Sequence, residues 1–224
     1  MESGVFHTTY EADMALRRTP LMRLRLVLAI VFLLVFPFLA DGYQLTLANQ
    51  AGIAAIGAIG LNILTGFTGQ ISLGHGAFIG IGAYTSGYLT MKLGVPFIVA
   101  LPAAGVVTAL FGMVFGIPSL RLKGLYLAIA TLAAQFIIEY LMVHLEPITN
   151  GVLGLLVDYP SVFGFSFDTD LKYFYLTVSI AILATLYAKN LIRTRPGRAF
   201  IAIRDRYISA EVMGVNLFKY KLMA

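Results

Sequence analysis

The sequence predicts an all-α fold, a polytopic bundle of transmembrane helices with about six spans and the start of a seventh. Three observations carry this prediction. Apolar residues make up 59% of the 224 and charged residues 12%, with a mean hydropathy of +0.85, which leaves too little polar surface to coat a water-soluble globule. The apolar residues come in runs near the roughly 20 residues that a bilayer core demands of a helix. The cations stand at the ends of those runs, where topology anchors belong.

Residues 1–23, which include Arg17, Arg18 and Arg23, read as a cytoplasmic N-terminal segment, and residues 24–224 as one transmembrane domain. Spans are expected at Leu24–Ala40, Leu45–Thr65, Gly74–Met91, Val95–Ile117, Gly124–His144 and Leu171–Ala188. A further one begins at Tyr220 and is cut off, so C-terminal truncation is expected. The first run is read as a retained helix, because Phe38-Leu39-Ala40 lacks the small residue expected two positions before a cleavage-site alanine. With the N-terminus inside, six crossings leave only Lys92 and Lys172 outside among the lysines and arginines, and positive-inside bias selects that orientation. The segment 145–170 is then external, either an ordered cap and partner-facing surface or a mobile loop. Residues 189–219 form a basic cytoplasmic loop.

Several function classes drop out. The chain has no cysteine and three scattered histidines, so neither a disulfide framework nor a metal site is expected. The net charge of +5 forms no exposed stripe, so membrane lipid is the expected surrounding and nucleic acid is not an expected partner. No phosphate-binding loop, nucleophile elbow or zinc-protease pattern occurs. The reading is a non-enzyme that binds no cofactor, with ATP, if it is used, held by another polypeptide.

Glycines cluster between Gly52 and Gly87, where they let helix backbones approach in lipid; Gly76 and Gly80 form one such pair. Gly105, Ala109, Gly112 and Gly116 repeat the device on one face of the fourth span, predicting tight packing against protein. Between the second and third spans, Asn62, Thr65, Gly66, Gly69, Gln70, Ser72, Gly74 and His75 interrupt the apolar pattern. Such backbone survives near a bilayer only when buried in protein or lining a wet cavity. It is either a broken, re-entrant functional element or a short turn between two ordinary spans. Glu139, one turn after Gln135 in the fifth span, is expected to face the bundle interior or a water-filled path.

The run from Gly60 to Phe78, GLNILTGFTGQISLGHGAF, resembles the signature of the branched-chain amino acid ABC permeases, with Gly76 in place of a common alanine. Gly124–Leu132 and Thr149-Asn150-Gly151 are similar to later blocks of that family, Asn150 standing where a glycine is usual. The family resemblance implies a bacterial or archaeal plasma (inner) membrane subunit, paired with a second homologous permease. Two cytoplasmic ATPase subunits would lie below and a periplasmic or extracellular solute-binding protein above. It implies translocation of leucine, isoleucine and valine; urea, short amides or sugars are the alternative substrates, and an ATP-independent carrier or channel is the alternative class. Arg198, Arg204, Asp205, Glu211 and Gly214 lie in a stretch that resembles the ATPase-coupling loop, although Glu211 and Gly214 stand closer than in the usual pattern. On a helical wheel the apolar residues of this stretch form no single clean stripe, which suits a segment wedged into a groove.

Overall fold

The computed structural model describes residues 20–119, 122, 124–162 and 164–224. Residues 1–19 of the segment expected to be cytoplasmic, and the inward assignment of Arg121 and Lys123, lie outside the described residues. The chain forms two compact units, residues 1–47 and 48–224. The first contains helix α1 (Pro20–Leu39) and the opening turns of α2 (Gly42–Leu61). α1 is apolar nearly all round and leaves Leu28, Phe32 and Leu39 exposed, as a helix solvated by lipid can.

In the second unit α2 widens into a π-helical turn, Asn62–Phe67, and is followed by α3 (His75–Met91), α4 (Phe97–Ser119) and α5 (Leu125–His144). A one-turn helix α6 (Glu146–Thr149), a 3-10 turn (Gly151–Leu153) and a hairpin of β1 (Ser161–Val162) with β2 (Phe165–Ser166) make up the next segment. α7 (Asp170–Arg193), α8 (Arg195–Val212) and α9 (Leu217–Met223) complete it. Each expected span forms a helix, and the last helix begins at Leu217, ahead of the expected Tyr220.

Among the described residues four helices are long and apolar enough to cross a membrane: Gly42–Phe67, Phe97–Ser119, Leu125–His144 and Asp170–Arg193. Leu24–Leu39 is apolar but shorter. No more than 22% of any of the four is buried within the chain, so most of their surface is left for lipid or other protein. α3 differs. Its 17 residues reach about 25 Å, short of a bilayer core of roughly 30 Å. It packs on α4 and α5 instead: Ala77 and Ile81 join Ile138 in a buried cluster closed by Phe78, Val107, Phe115 and Met142.

Glycine sets the close approaches. A Cβ on Gly52 would lie 2.7 Å from Thr177 Cγ2, and beside it Asn49 Nδ2 donates to the Asp170 carbonyl (3.2 Å), fastening α2 to α7. A Cβ on Gly80 would lie 2.9 Å from Met142 Cε, so Gly80 is a packing glycine. Gly76 is not. It is exposed and a Cβ there would meet nothing, which explains why alanine serves at this position in the resembling sequences. The small-residue face of α4 also departs from expectation. A Cβ on Gly105 or Gly112 would meet nothing, whereas one on Gly116 would touch Leu222; toward α3, Thr108 lies against Gly82, and Val107 and Phe115 pack on the cluster of Ala77 and Ile81.

The described residues of the segment 145–170 make defined contacts. Asn150 occupies the left-handed region (φ 64°), which a short amide side chain tolerates, and its Nδ2 donates to the Gly154 carbonyl (3.2 Å). The turn thus keeps its shape with asparagine in place of glycine. Lys92 Nζ donates to the Pro147 carbonyl (2.6 Å), and Leu155 and Val157 lean on Gly87 of α3.

Candidate functional site

The π turn does not fray. Thr65 Oγ1 donates to the Leu61 carbonyl (2.8 Å) and Thr68 Oγ1 to the Ile63 carbonyl (3.1 Å). Gly69 turns left-handed (φ 71°), and the Gln70 amide donates back to the Leu64 carbonyl (3.1 Å), closing the helix end as a glycine C-cap does. Arg204 of α8 then reaches this end: its Nη1 donates to the Gly66 carbonyl (2.9 Å). The last carbonyls of a helix lack intrahelical partners and carry partial negative charge, so a guanidinium there is doubly suited. Asp205 pairs with the same guanidinium (3.1 Å). The Asn62 side chain fills the space a Cβ on Gly66 would need, and a Cβ on Gly69 would lie 3.0 Å from Arg204 Cγ.

Residues 68–74 are a connection docked on protein. Gln70 is buried and its Nε2 donates to the Lys221 carbonyl of α9 (3.0 Å). The Leu73 amide donates to Thr131 Oγ1 of α5 (3.0 Å), and a Cβ on buried Gly74 would stand 2.5 Å from the Thr131 carbonyl oxygen. His75 opens α3 with Nε2 2.9 Å from the Gly57 carbonyl, a distance that calls for the Nε2–H tautomer, and its ring lies over Gly57 and Gly60. Ser72, Gln70, His75, Thr108 and Thr131 face a cavity of about 570 Å³. A second, apolar cavity of about 360 Å³, bordered by Tyr84, Tyr88 and Phe111, lies beyond the Ala77–Ile81–Ile138 cluster.

Two sets of sequence-predicted residues therefore meet, the signature loop and the basic loop, at Arg204 and Gly66. The remainder of the basic loop is divided. Arg198 Nη1 donates to the Arg193 carbonyl (3.2 Å) at the end of α7. Ala199, Phe200 and Ile203 are buried on one side and Ala210 is buried beyond the kink at Arg206, while other apolar residues of the stretch are exposed, so its apolar set does not share a single face. Past that kink, Ile208, Glu211, Val212 and Met213 project outward. Gly214 (φ 86°) ends the projection, with the Val215 amide bonded to the Ala210 carbonyl (3.0 Å).

Of the two settings expected for Glu139, it does not face the interior of this chain: it is exposed on α5, with the Gln135 side chain donating to it (3.1 Å). Residues that sequence reasoning passed over include Thr131, whose hydroxyl anchors the loop at Leu73 and whose carbonyl abuts Gly74, and Gly197, whose Cβ would collide with the backbone of Leu191 and Ile192. Phe200 is the largest fully buried side chain, and its ring meets Tyr220 edge-on at 6.4 Å. Thr131 did lie inside the block Gly124–Leu132, which was its only signal. Among the described residues no cluster of His, Cys, Asp and Glu comes together that could hold a metal.

A family model described as the permease component of the branched-chain amino acid transport system matches residues 43–224. The high-affinity branched-chain amino acid transport system permease protein LivM of Salmonella typhimurium is 32% identical over 226 aligned positions, covering 90% of this chain and 53% of that protein. LivM of Escherichia coli is similar to the same extent. The chain thus spans about half the length of the curated relatives it matches. No solved structure matches it significantly.

Proposed function

The chain belongs to the family of branched-chain amino acid transport permeases, and from that membership we propose that it is the membrane subunit of an ATP-driven importer for leucine, isoleucine and valine. The observation that carries the proposal is the Arg204–Gly66 contact, which ties a projecting, solvent-facing element to the loop that joins two membrane helices. ATP-driven closure of two cytoplasmic ATPases would push on Ile208, Glu211, Val212 and Met213. The load would pass through α8 and Arg204 into the end of α2, and through Leu73 and Thr131 into α5, as rigid elements transmit rocking motions in transporters. A second, homologous permease would cover the largely exposed spans, and a solute-binding protein would deliver substrate at the 145–170 cap. This orientation puts the N-terminus in the cytoplasm, in line with the placement of the cations.

Affinity purification from the native membrane, comparing wild type with Glu211→Arg, tests this reading. Recovery of a second permease and ATPase subunits with wild type, and loss of the ATPases in the variant, is the expected result. A protein that purifies alone and moves substrate down a gradient without ATP would overturn it in favour of a carrier or channel.

A further inference from the structure

Neither the loop contacts nor the two cavities give Glu139 a role. Its carboxylate lies on the exposed side of α5, away from buried Ala134 and Ile138. The helix ends at His144, so Glu139 sits roughly 7–8 Å in from that end. A side chain on an α-helix leans toward the helix N-terminus, which here means toward the middle of the span and away from the nearer membrane surface. Gln135, its hydrogen-bond partner, lies one turn further in that same direction. Bonded to Gln135, the carboxylate is directed along the apolar helix and not toward its nearer end. Facing hydrocarbon it would be strongly disfavoured, so water or a polar partner lies against it in the assembled protein.

What that partner is follows from the chemistry of the face. An ionised carboxylate accepts about four hydrogen bonds, and Gln135 supplies one. Around it on the same side of the helix are Leu132, Phe136 and Val143, with Phe136 61% exposed and neighbouring Tyr140 62% exposed. One anionic acceptor set among aliphatic and aromatic surface matches a solute that joins a cationic N–H donor to an apolar side chain. We propose that Glu139, positioned by Gln135, is a subsite for the ammonium group of an apolar amino acid, on a path that runs along the outside of α5. This rests on the proposed importer function and adds to it the side of the chain along which substrate moves.

The test uses the complete transporter purified from its native membrane and reconstituted in liposomes with its binding protein, with radiolabelled leucine as probe. Glu139→Gln preserves size and a polar contact with Gln135 while removing the charge. It is expected to lower leucine uptake at least tenfold while retaining all subunits and the ATP hydrolysis stimulated by loaded binding protein, so that ATP consumed per leucine rises. Glu139→Asp should recover part of the uptake. Unchanged uptake in Glu139→Gln overturns the proposal. So does loss of a subunit in both variants, which would make the carboxylate the mate of a cation on a neighbouring subunit. If wild type itself moves leucine without ATP, the importer reading fails while the flux comparison between wild type and Glu139→Gln still decides the subsite.

Discussion

Two glycine-bearing connections, residues 66–74 and residues 145–170, are fastened differently. The first is tied to distant parts of the chain: Gly66 to Arg204, Gln70 to Lys221, Leu73 to Thr131. The second combines its own turns, Asn150 bonded to Gly154 and Thr149 to Leu145, with reaches from the helices around it, Lys92 to the Pro147 carbonyl, Asn49 to the Asp170 carbonyl and Lys172 to Ser166 and Asp168. One buries polar side chains, Thr68 and Gln70; the other leaves Val152, Leu153 and Leu156 at least 88% exposed. A loop that is part of the interior transmits what happens to its neighbours, whereas a cap that exposes apolar side chains can change that surface without disturbing the helices below.

The sharpest way to break this contrast is at the corner that aims α8 at the first loop. Gly197→Ala sets a methyl group against the backbone of Leu191 and Ile192, and neither can yield without moving α7 or α8. We expect a loss of about 3 kcal/mol or more, read as failure to recover monodisperse protein in detergent. Gly74→Ala meets the Thr131 carbonyl oxygen and should cost about 2–3 kcal/mol, seen as a lowered unfolding midpoint; the control, Gly76→Ala, should leave that midpoint unchanged.

Arg204→Met keeps the aliphatic packing over Gly69 and removes the donor to Gly66. Its guanidinium is partly exposed, so the expected loss is only about 1 kcal/mol. Its transport effect should be larger, with ATP hydrolysis retained and uptake reduced. Equal loss of both would show that Arg204 merely stabilises. In the cap, Gly151→Ala forces a Cβ onto a left-handed residue (φ 60°), at about 1 kcal/mol, and limited proteolysis should then cut within 145–170 while the helices stay intact. Replacing Val152, Leu153 and Leu156 together by serine should leave the unfolding midpoint in place.

The smallest effect concerns pH. The Lys172 side chain, hydrogen-bonded to Asp168 at 2.6 Å, holds that carboxyl below its ordinary range. A depressed carboxyl contributes while it is ionised and loses its contribution as pH falls through the carboxylate range. Both partners are solvent-exposed, so Asp168→Asn should not move the unfolding midpoint at neutral pH.

The helices were legible because hydrophobic run length is a local property, and each predicted run became one. The loop's fastenings were not, because Arg204 and Gly66 are separated by 138 positions and nothing in either segment specifies the other. Gly76 and the α4 glycines show the reverse failure. Spacing announced a packing face, but a small residue leaves room for a neighbour without requiring one. For Glu139 the rule that a membrane carboxylate avoids lipid does not say which side it faces, because in a chain whose spans are mostly exposed the group need not point inward. On α8 the apolar residues take two sides, Ala199, Phe200 and Ile203 buried before the kink at Arg206 and Ile208, Val212 and Met213 outward after it, which is why the wheel gives no single stripe.

The six-residue π turn at the end of α2 has a consequence for chain length. A wide turn holds one residue more than an α-helical path of the same shape, a surplus worth about 1.5 Å of rise and a third of a rotation. Deleting a single residue within Asn62–Phe67 should therefore tighten the turn into ordinary helix and leave both flanking helices whole, whereas the same deletion in mid-α5 would rotate half a span out of register.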